Sequence, residues 1–448
     1  MKVAVIGTGY VGLVSGTCLA QVGHEVTCVD KMEEKITKLS QGVIPIYEPG
    51  LDNLVMSNHK EGRLHFTTSL KDAIKDAEAI VIAVGTPCRA QDGCADLRYV
   101  FGVAEEIAQS LDHYAVIVTK STVPAGTGHE IQRIIRGINP NAEFDIASNP
   151  EFLREGNAIF DFMEPDRVVV GVENNRAHTV MAELYRPFAD KGYEVIYTDI
   201  ISSELIKYAA NTFLATKVSF INEMADLCEK VGGNIQDVAR GMGSDNRIGP
   251  KFLQPGPGYG GSCFPKDTQA MVNIGERALS PISIVEAVIA VNRARPHRMV
   301  AKIVEAADGD VRGKKIALLG LTFKPDTDDV RDSTALIIAE ELANRGANVV
   351  AYDPQGMHEA QKVIGACIDY ADNTEQAIKG ADLLVLATEW KAFCDLEPDY
   401  LKTQLKQPVM VDLRNVFDPE AMKRKGFTYY SVGRSAVNVS ATPQAVAA

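Results

Sequence analysis

Paired cysteines are missing from this chain. Its eight cysteines, at 18, 28, 88, 94, 228, 263, 367 and 394, include no C-x-x-C spacing, which argues against zinc sites and thioredoxin-like redox chemistry; no metal is expected. Positive charge is also short. Lys and Arg number 46 against 59 Asp and Glu, a net charge of −13, whereas a nonspecific nucleic-acid binder needs the opposite balance. A phosphate ligand, needing only a few local donors, stays open. No apolar run reaches the length that crosses a bilayer, so no membrane partner is expected. The opening Met1-Lys-Val-Ala-Val-Ile6 reads as structure, with no cleavable leader. A reduced, cytoplasmic protein is the expectation; Cys88 and Cys94 flank a polar loop and could pair, but are expected as free thiols. No histidine falls within the motifs below, which argues against a His-based acid–base pair.

What is present is an ordinary globular composition, 46% hydrophobic and 23% charged, over 448 residues, enough for two or three domains. Lys2–Ile6 reads as a buried parallel strand. Gly7-Thr-Gly9-Tyr10-Val11-Gly12 follows at once and opens a helical pattern that Gly23 ends, and Glu25–Val29 is a second strand closed by Asp30. Glycines in a strand-to-helix turn let backbone approach a pyrophosphate at the helix N-terminus. Asp30 would accept the adenosine ribose hydroxyls and repel a 2′-phosphate, so NAD is favoured over NADP.

Further strands are expected at Ala79–Val84, Ala115–Thr119, Phe144–Ser148, Arg167–Val172 and Glu194–Thr198. Three loops at their C-terminal ends carry polar groups: Gly85-Thr86-Pro87, Lys120-Ser-Thr122-Val-Pro124 and Asn149-Pro-Glu151-Phe-Leu-Arg-Glu155-Gly156. Ligands of doubly wound sheets sit over such ends, although turn and cap chemistry would use the same residues. From Ile201 to Val231 the period becomes helical, with Glu204, Lys207 and Asn211 on one stripe, and a second long helix spans about Pro281–Ala307. After Gly313 the N-terminal plan recurs: strands at Lys315–Leu319, Asn348–Tyr352 and Ala381–Ala387, with Gly346…Asp353 echoing Gly23…Asp30. This copy lacks the glycine loop and carries Lys324 and Arg331, cations suited to diphosphate or to pairing with the neighbouring aspartates. The fold class is therefore α/β, with two Rossmann-like doubly wound lobes joined by a central helical domain. The expected domains are 1–200 for NAD, 201–310 for the helical centre, 311–435 for the second lobe, and a loose tail at 436–448.

Within the centre lies Gly258-Tyr259-Gly-Gly-Ser-Cys263-Phe-Pro-Lys266-Asp267. If a helix starts near Cys263, thiol and carboxylate share one face. A helix N-terminus and a nearby ammonium both favour thiolate, so Cys263 is a candidate nucleophile. Read alone it is first a buried structural cysteine beside a glycine turn.

Taken together, the glycine loop, Ser-Thr-Val-Pro-Ala-Gly, Asn-Pro-Glu-Phe-Leu-Arg-Glu-Gly, the Lys207-to-Asn211 helix, the Cys263 segment and the Lys324–Arg331 loop resemble the UDP-glucose 6-dehydrogenases, within the nucleotide-sugar dehydrogenase family, over nearly the whole chain. The resemblance implies NAD-dependent four-electron oxidation of UDP-glucose to UDP-glucuronate, a precursor for polysaccharide biosynthesis, through a Cys263 thiohemiacetal and thioester. It implies Lys207 as the cation that steadies oxyanions, Asn211 as a neutral donor and Asp267 as the carboxylate that handles water, with Thr122 and Glu151 near the reacting carbon. How Thr122, Glu151 and Asp267 divide the proton transfers is open in the sequence. For the cofactor it adds Tyr10, Val11, Lys35, Thr86, Thr122, Glu155, Lys266 and Arg331 to Gly7, Gly9, Gly12 and Asp30. For the UDP-sugar it implies Glu151, Phe152, Leu153, Arg154, Glu155, Lys207, Asn211, Phe252, Leu253, Gln254, Pro255, Gly256, Gly260 and Lys324. Arg247 matches an arginine that in the family can reach a neighbouring subunit's site, so a homodimer is expected. Three other readings remain: a sister enzyme for GDP-mannose or a UDP-N-acetylhexosamine, a two-electron 3-hydroxyacid-type dehydrogenase, and a non-catalytic NAD sensor. The last two would have no use for Cys263.

Overall fold

A computed structural model of the chain describes residues 1–87, 89 and 93–437. Cys88 and the tail from residue 438 lie outside the described residues. The chain packs as two compact units, Met1–Ala210 with Gln269–Pro281, and Asn211–Thr268 with the chain from Ile282 on.

The first unit holds an eight-stranded sheet: β1 (Lys2–Ile6), β2 (Glu25–Val29), β3 (Leu64–Thr67), β4 (Ala79–Ile82), β5 (Ala115–Thr119), β6 (Phe144–Ser148), β7 (Val168–Gly171) and β8 (Val195–Thr198). They lie in the order β3-β2-β1-β4-β5-β6-β7-β8. Neighbours are parallel except β6 and β7, which meet antiparallel at Ser148 and Gly171. The strands are apolar throughout because both faces are covered: Val3 and Val5 join one core, Ala4 and Ile6 the other. Chain order reverses where β1 lies between β2 and β4, with register Val3↔Val26 and Val3↔Ala79. The glycine loop after β1 therefore opens at the sheet's switch point, where doubly wound sheets take their ligands.

The second unit holds six parallel strands, β9 (Lys315–Leu319), β10 (Asn348–Tyr352), β11 (Asp369–Tyr370), β12 (Leu383–Leu386), β13 (Val409–Asp412) and β14 (Thr428–Ser431), in the order β11-β10-β9-β12-β13-β14. Ile316 and Leu318 face one core and Ala317 and Leu319 the other. The helix Ser283–Ala306 gives Met299, Val300 and Ile303 to the first of these, beside Ile221, Ala225 and Cys228 of the helix Ile200–Val231. Burying one such aliphatic side chain is worth about 1.5–3 kcal/mol, so this packing secures the long helices more than helix propensity does.

The architecture is the one read from the sequence: α/β, two Rossmann-like parallel sheets and a helical central region. Four strands escaped that reading, Leu64–Thr67, Asp369–Tyr370, Val409–Asp412 and Thr428–Ser431. Leu64-His-Phe-Thr and Asp369-Tyr are edge strands with polar residues mixed in, which gives them no continuous apolar run.

Candidate active site

The glycine loop is shaped by backbone. Gly7 has φ of +102°, and a Cβ on Gly12 would collide with the Gly7 carbonyl oxygen, so the turn closes only with glycine at both places. Around Gly9 there is open space, and no side chain caps the helix Tyr10–Gln21 that Gly9 precedes. Those amide groups fit a diphosphate. Val11 packs against the core beneath. Asp30 follows β2, and its Oδ2 accepts from the Thr8 hydroxyl at 2.7 Å, the Thr8 amide at 3.2 Å and Lys35 Nζ at 2.9 Å. Burial works against its charge, but Thr8, Lys35 and the Met32 amide outweigh it and hold the carboxyl below its ordinary value. Thr86 and Thr122 also meet, the Thr86 hydroxyl donating to the Thr122 carbonyl at 2.9 Å. The residues around this loop fit NAD.

Tyr10 reaches a residue that the motifs did not mark. Its hydroxyl bonds Glu48, which accepts from the amides of Gly156 at 2.7 Å and Ala158 at 2.7 Å. The Gly156 amide also donates to the Tyr10 hydroxyl at 3.0 Å. The glycine loop is thus tied to the end of the Asn-Pro-Glu-Phe-Leu-Arg-Glu-Gly segment, which holds half-buried Glu155.

That segment follows β6 and carries Glu151, 6% exposed, whose Oε1 lies 3.0 Å from Nζ of Lys207, 2% exposed. Its Oε2 accepts the Leu153 amide at 2.6 Å. Burial favours the neutral acid, yet Lys207, the Leu153 amide and Lys120 together hold Glu151 below its ordinary value, so it is a carboxylate. Phe152 lies under both Lys207 and Arg167, at 5.4 and 3.7 Å from the ring centroid. Leu153 packs on the core, whereas Arg154 pairs with Asp161 at 2.5 Å.

In the second unit, Cys263 immediately precedes the helix Phe264–Arg277, and the Asp267 amide donates to its carbonyl at 2.8 Å. The expected helix start is therefore present, and thiol and carboxylate lie one turn apart. Asp267 is 1% exposed, with Oδ1 accepting Lys266 Nζ at 2.5 Å and Oδ2 accepting Asn211 Nδ2 at 2.6 Å. Cys263 is half-buried, with the Ser262 hydroxyl 3.5 Å from its sulfur. The preceding glycines are packed against the loop after β9: a Cβ on Gly260 would strike the Asp332 carbonyl, and the Gly261 amide donates to the Arg331 carbonyl at 2.8 Å.

The Phe252–Gly256 segment is held from two sides. Asn222 accepts the Gly256 amide at 2.8 Å, and buried Arg295 donates to its carbonyl at 2.9 Å. Phe252 takes a positive φ of 64° and stacks near Phe264, centroids 6.1 Å apart. Leu253 and Pro255 are buried, and Gln254 is exposed. Lys324 Nζ lies 5.6 Å from the Phe323 ring, and Arg331 forms a two-point pair with Asp329 at 2.8 Å. The Arg247 side chain is 89% exposed and pairs with Asp245 at 2.6 Å.

The residues read from sequence thus gather as Gly7–Gly12 with Asp30 and Lys35, Thr86 with Thr122, Glu151 with Lys207, and Cys263 with Asn211, Lys266 and Asp267. Sequence reasoning missed Glu48 and Tyr185, and took Lys120 and Asn149 only as parts of loops. Nothing in their local spacing marks them, because their partners come from distant strands and helices.

Three consecutive stretches match one family. Residues 1–189 match the NAD binding domain of the UDP-glucose/GDP-mannose dehydrogenase family, 201–294 its central domain and 317–419 its UDP binding domain. A UDP-glucose 6-dehydrogenase of Rhizobium meliloti is 55% identical over 97% of this chain and 100% of its own. The UDP-glucose 6-dehydrogenase TuaD of Bacillus subtilis is 48% identical over 97% and 94%. Among solved structures, a UDP-glucose dehydrogenase from Pyrobaculum islandicum superposes with a TM-score of 0.89 at 36% identity, covering 97% of this chain and 98% of that one. With every domain of the family present in order, and shared identity running the length of the chain, this protein is a member of the UDP-glucose/GDP-mannose dehydrogenase family.

Proposed function

We propose that the protein oxidises UDP-glucose to UDP-glucuronate, with Cys263 holding the half-oxidised sugar covalently. The single observation that carries the reading is the buried Asp267 carboxylate, clamped by Asn211 and Lys266 one helical turn from the Cys263 thiol. A two-electron dehydrogenase or an NAD sensor has no use for that pair. The high identity to relatives named UDP-glucose 6-dehydrogenase supports the choice of sugar.

The overall change takes one UDP-glucose, two NAD⁺ and one water to UDP-glucuronate, two NADH and three protons. NAD, held by Gly7–Gly12, Asp30 and Lys35, with Thr86 and Thr122 at the neighbouring strand ends, supplies the acceptor for a hydride from C6 in each of the two oxidations. The Cys263 thiolate adds to the C6 aldehyde, forming a C–S bond and an oxyanion that takes up a proton as the thiohemiacetal. The second oxidation leaves a thioester, and water attacks it, releasing the carboxylate and regenerating the thiol. Lys207 supplies positive charge to the oxyanions and Asn211 a neutral donor. Asp267 takes the proton from water, and Glu151 and Thr122 serve proton transfer at C6. Glu155, Phe252–Gly256, Gly260 and Lys324 bind the UDP-sugar, and Lys266 and Arg331 complete the cofactor contacts.

A homodimer belongs to the same reading. Phe213, Phe220 and Leu227 recur every seven residues on the helix Ile200–Val231 and are 65%, 48% and 50% exposed, an apolar stripe suited to a partner helix. Exposed Arg247 is then the group that reaches the neighbouring copy. The cysteines among the described residues are all free thiols, which fits a reducing cytoplasm.

The test is a panel of UDP-glucose, GDP-mannose and UDP-N-acetylhexosamines with NADH counted per sugar consumed. Two NADH from UDP-glucose are expected. A ratio of one removes the thioester route, and preferential use of another sugar transfers the reading to a sister enzyme.

A further inference from the structure

Lys120 is a buried cation that the reaction outlined above does not use. It follows β5, its amide bonded to the Ile82 carbonyl at 2.9 Å, and only 4% of it is exposed. Its Nζ donates to Asn149 Oδ1 at 3.0 Å, with the Tyr185 hydroxyl at 3.5 Å and the Phe162 ring centroid at 5.5 Å. These direct partners are an amide, a phenol and an aromatic face, none of them anionic. The Tyr185 phenol stays protonated, burial raising its pKa, and it also bonds Asn149 Oδ1. Asn149 is itself fixed, its amide donating to the Thr119 carbonyl at 2.9 Å and its Nδ2 to the Val169 carbonyl at 2.7 Å.

A lysine pays heavily for such a place. Burial comes first and pushes its ammonium down to about 8; Glu151 draws it back up, Lys207 pushes it further down, and Cys18 works slightly upward. The Cys18 thiol, pushed up to about 12 by burial, is neutral. The charged groups facing Lys120 are therefore Glu151, attractive, and Lys207, repulsive. Lys207 Nζ lies 3.0 Å from Glu151 Oε1, and Asn149, which accepts Lys120 Nζ at 3.0 Å, stands two residues before Glu151.

We propose that Lys120 is a positioning residue for the oxidation, acting through Glu151: held by Asn149 and Tyr185, it is the second cation that keeps the Glu151 carboxylate ionised beside Lys207. The assignment rests on the part given to Glu151 and Lys207 under the proposed function. It gives a role to a buried lysine just past the end of β5, where a methionine would pack at lower cost.

The test titrates the Glu151 carboxyl in the full-length protein, labelled with ¹³C at glutamate Cδ, its carbon resonance assigned by loss in Glu151→Gln. In Lys120→Met the midpoint rises by about one pH unit, the size expected when one nearby opposite charge is removed. The acid limb of turnover with UDP-glucose moves up by the same amount. Tyr185→Phe, which keeps the ring and loses the phenol, gives a smaller shift in the same direction and serves if Lys120→Met does not fold. An unmoved midpoint in a folded variant overturns the proposal, and a merely structural lysine lowers thermal stability without moving either titration. If the wild type reduces no NAD with any nucleotide sugar while the midpoint still shifts, the charge coupling stands and the catalytic reading fails.

Discussion

Asn211 Nδ2 donates to Asp267 Oδ2 at 2.6 Å, leaving the carboxylate's other oxygen to Lys266. Both residues are buried, Asn211 at 6% and Asp267 at 1% exposure. A carboxylate held this way keeps one orientation, and it is offered one turn from the Cys263 backbone. Replacing Asp267 by Asn keeps the shape and removes the base. Turnover should fall roughly 10²–10⁴-fold, the usual contribution of a positioned acid–base group. Intact-protein mass spectrometry with UDP-glucose and NAD should then find a UDP-sugar adduct on Cys263. Normal turnover without an adduct removes Asp267 from the water step.

Cys263→Ser should abolish net production of UDP-glucuronate while the NAD dissociation constant stays at the wild-type value. Serine is a far weaker nucleophile at neutral pH than a thiol at a helix N-terminus. Calorimetric NAD titration and a product assay separate the two. Wild-type turnover in this variant would sink the covalent route.

Lys207→Met should lower kcat by roughly 10²–10³, as loss of an oxyanion partner does. It should also destabilise the fold by about 3–5 kcal/mol, because Glu151 is left buried without its 3.0 Å partner. Denaturant unfolding and steady-state kinetics on the same sample test both. Adding Glu151→Gln should recover stability but not turnover.

Asp30→Ala should weaken NAD binding by roughly 10–100-fold, from loss of charge-assisted hydrogen bonds of about 1.5–3 kcal/mol. Discrimination against NADP should fall with it, since the negative charge facing a 2′-phosphate is gone. The ratio of kcat/KM for the two cofactors is the readout. An unchanged ratio means Asp30 serves only Thr8 and Lys35.

Glu204 gives a prediction in pH. Burial comes first and pushes its carboxyl up to about 7 from an ordinary 4.5, against the Gly128 and Gly126 amides, whose hydrogen bonds lower it. Between those two values the folded state binds more protons than the unfolded, so stability falls as pH rises through that window. The wild type should lose thermal stability relative to Glu204→Gln from about pH 4.5 to 7. Parallel melting curves across that range would refute the raised pKa.

The glycine loop, the long helices and the recurrence of the N-terminal plan were legible because each is written in local pattern: apolar runs, a 3.6-residue stripe, glycines at turns. The Cys263–Asp267 relation was legible too, since four residues on a helix fix its geometry. Edge strands such as Asp369–Tyr370 were not, because pairing with β10 makes them strands. Glu48 and Lys120 left no local mark; their roles exist only once distant segments meet.

The two acids that end matching strands show the division most clearly. In spacing, Asp30 and Asp353 are equivalent, each seven residues after a helix-ending glycine, and the sequence determines that two strand–helix–strand units of one plan are present, the first alone with the glycine loop. Tertiary structure sets them apart. Asp353 is 1% exposed, its Oδ2 taken by the amides of Leu321 and Thr322, the Thr322 hydroxyl and Trp390 Nε1, and its Oδ1 by the amides of Gln355 and Gly356. A carboxylate whose lone pairs are spent on its own backbone and an indole has none left for a ribose. Asp30, only half-buried beside an open helix N-terminus, keeps that capacity, because no tryptophan is folded over it.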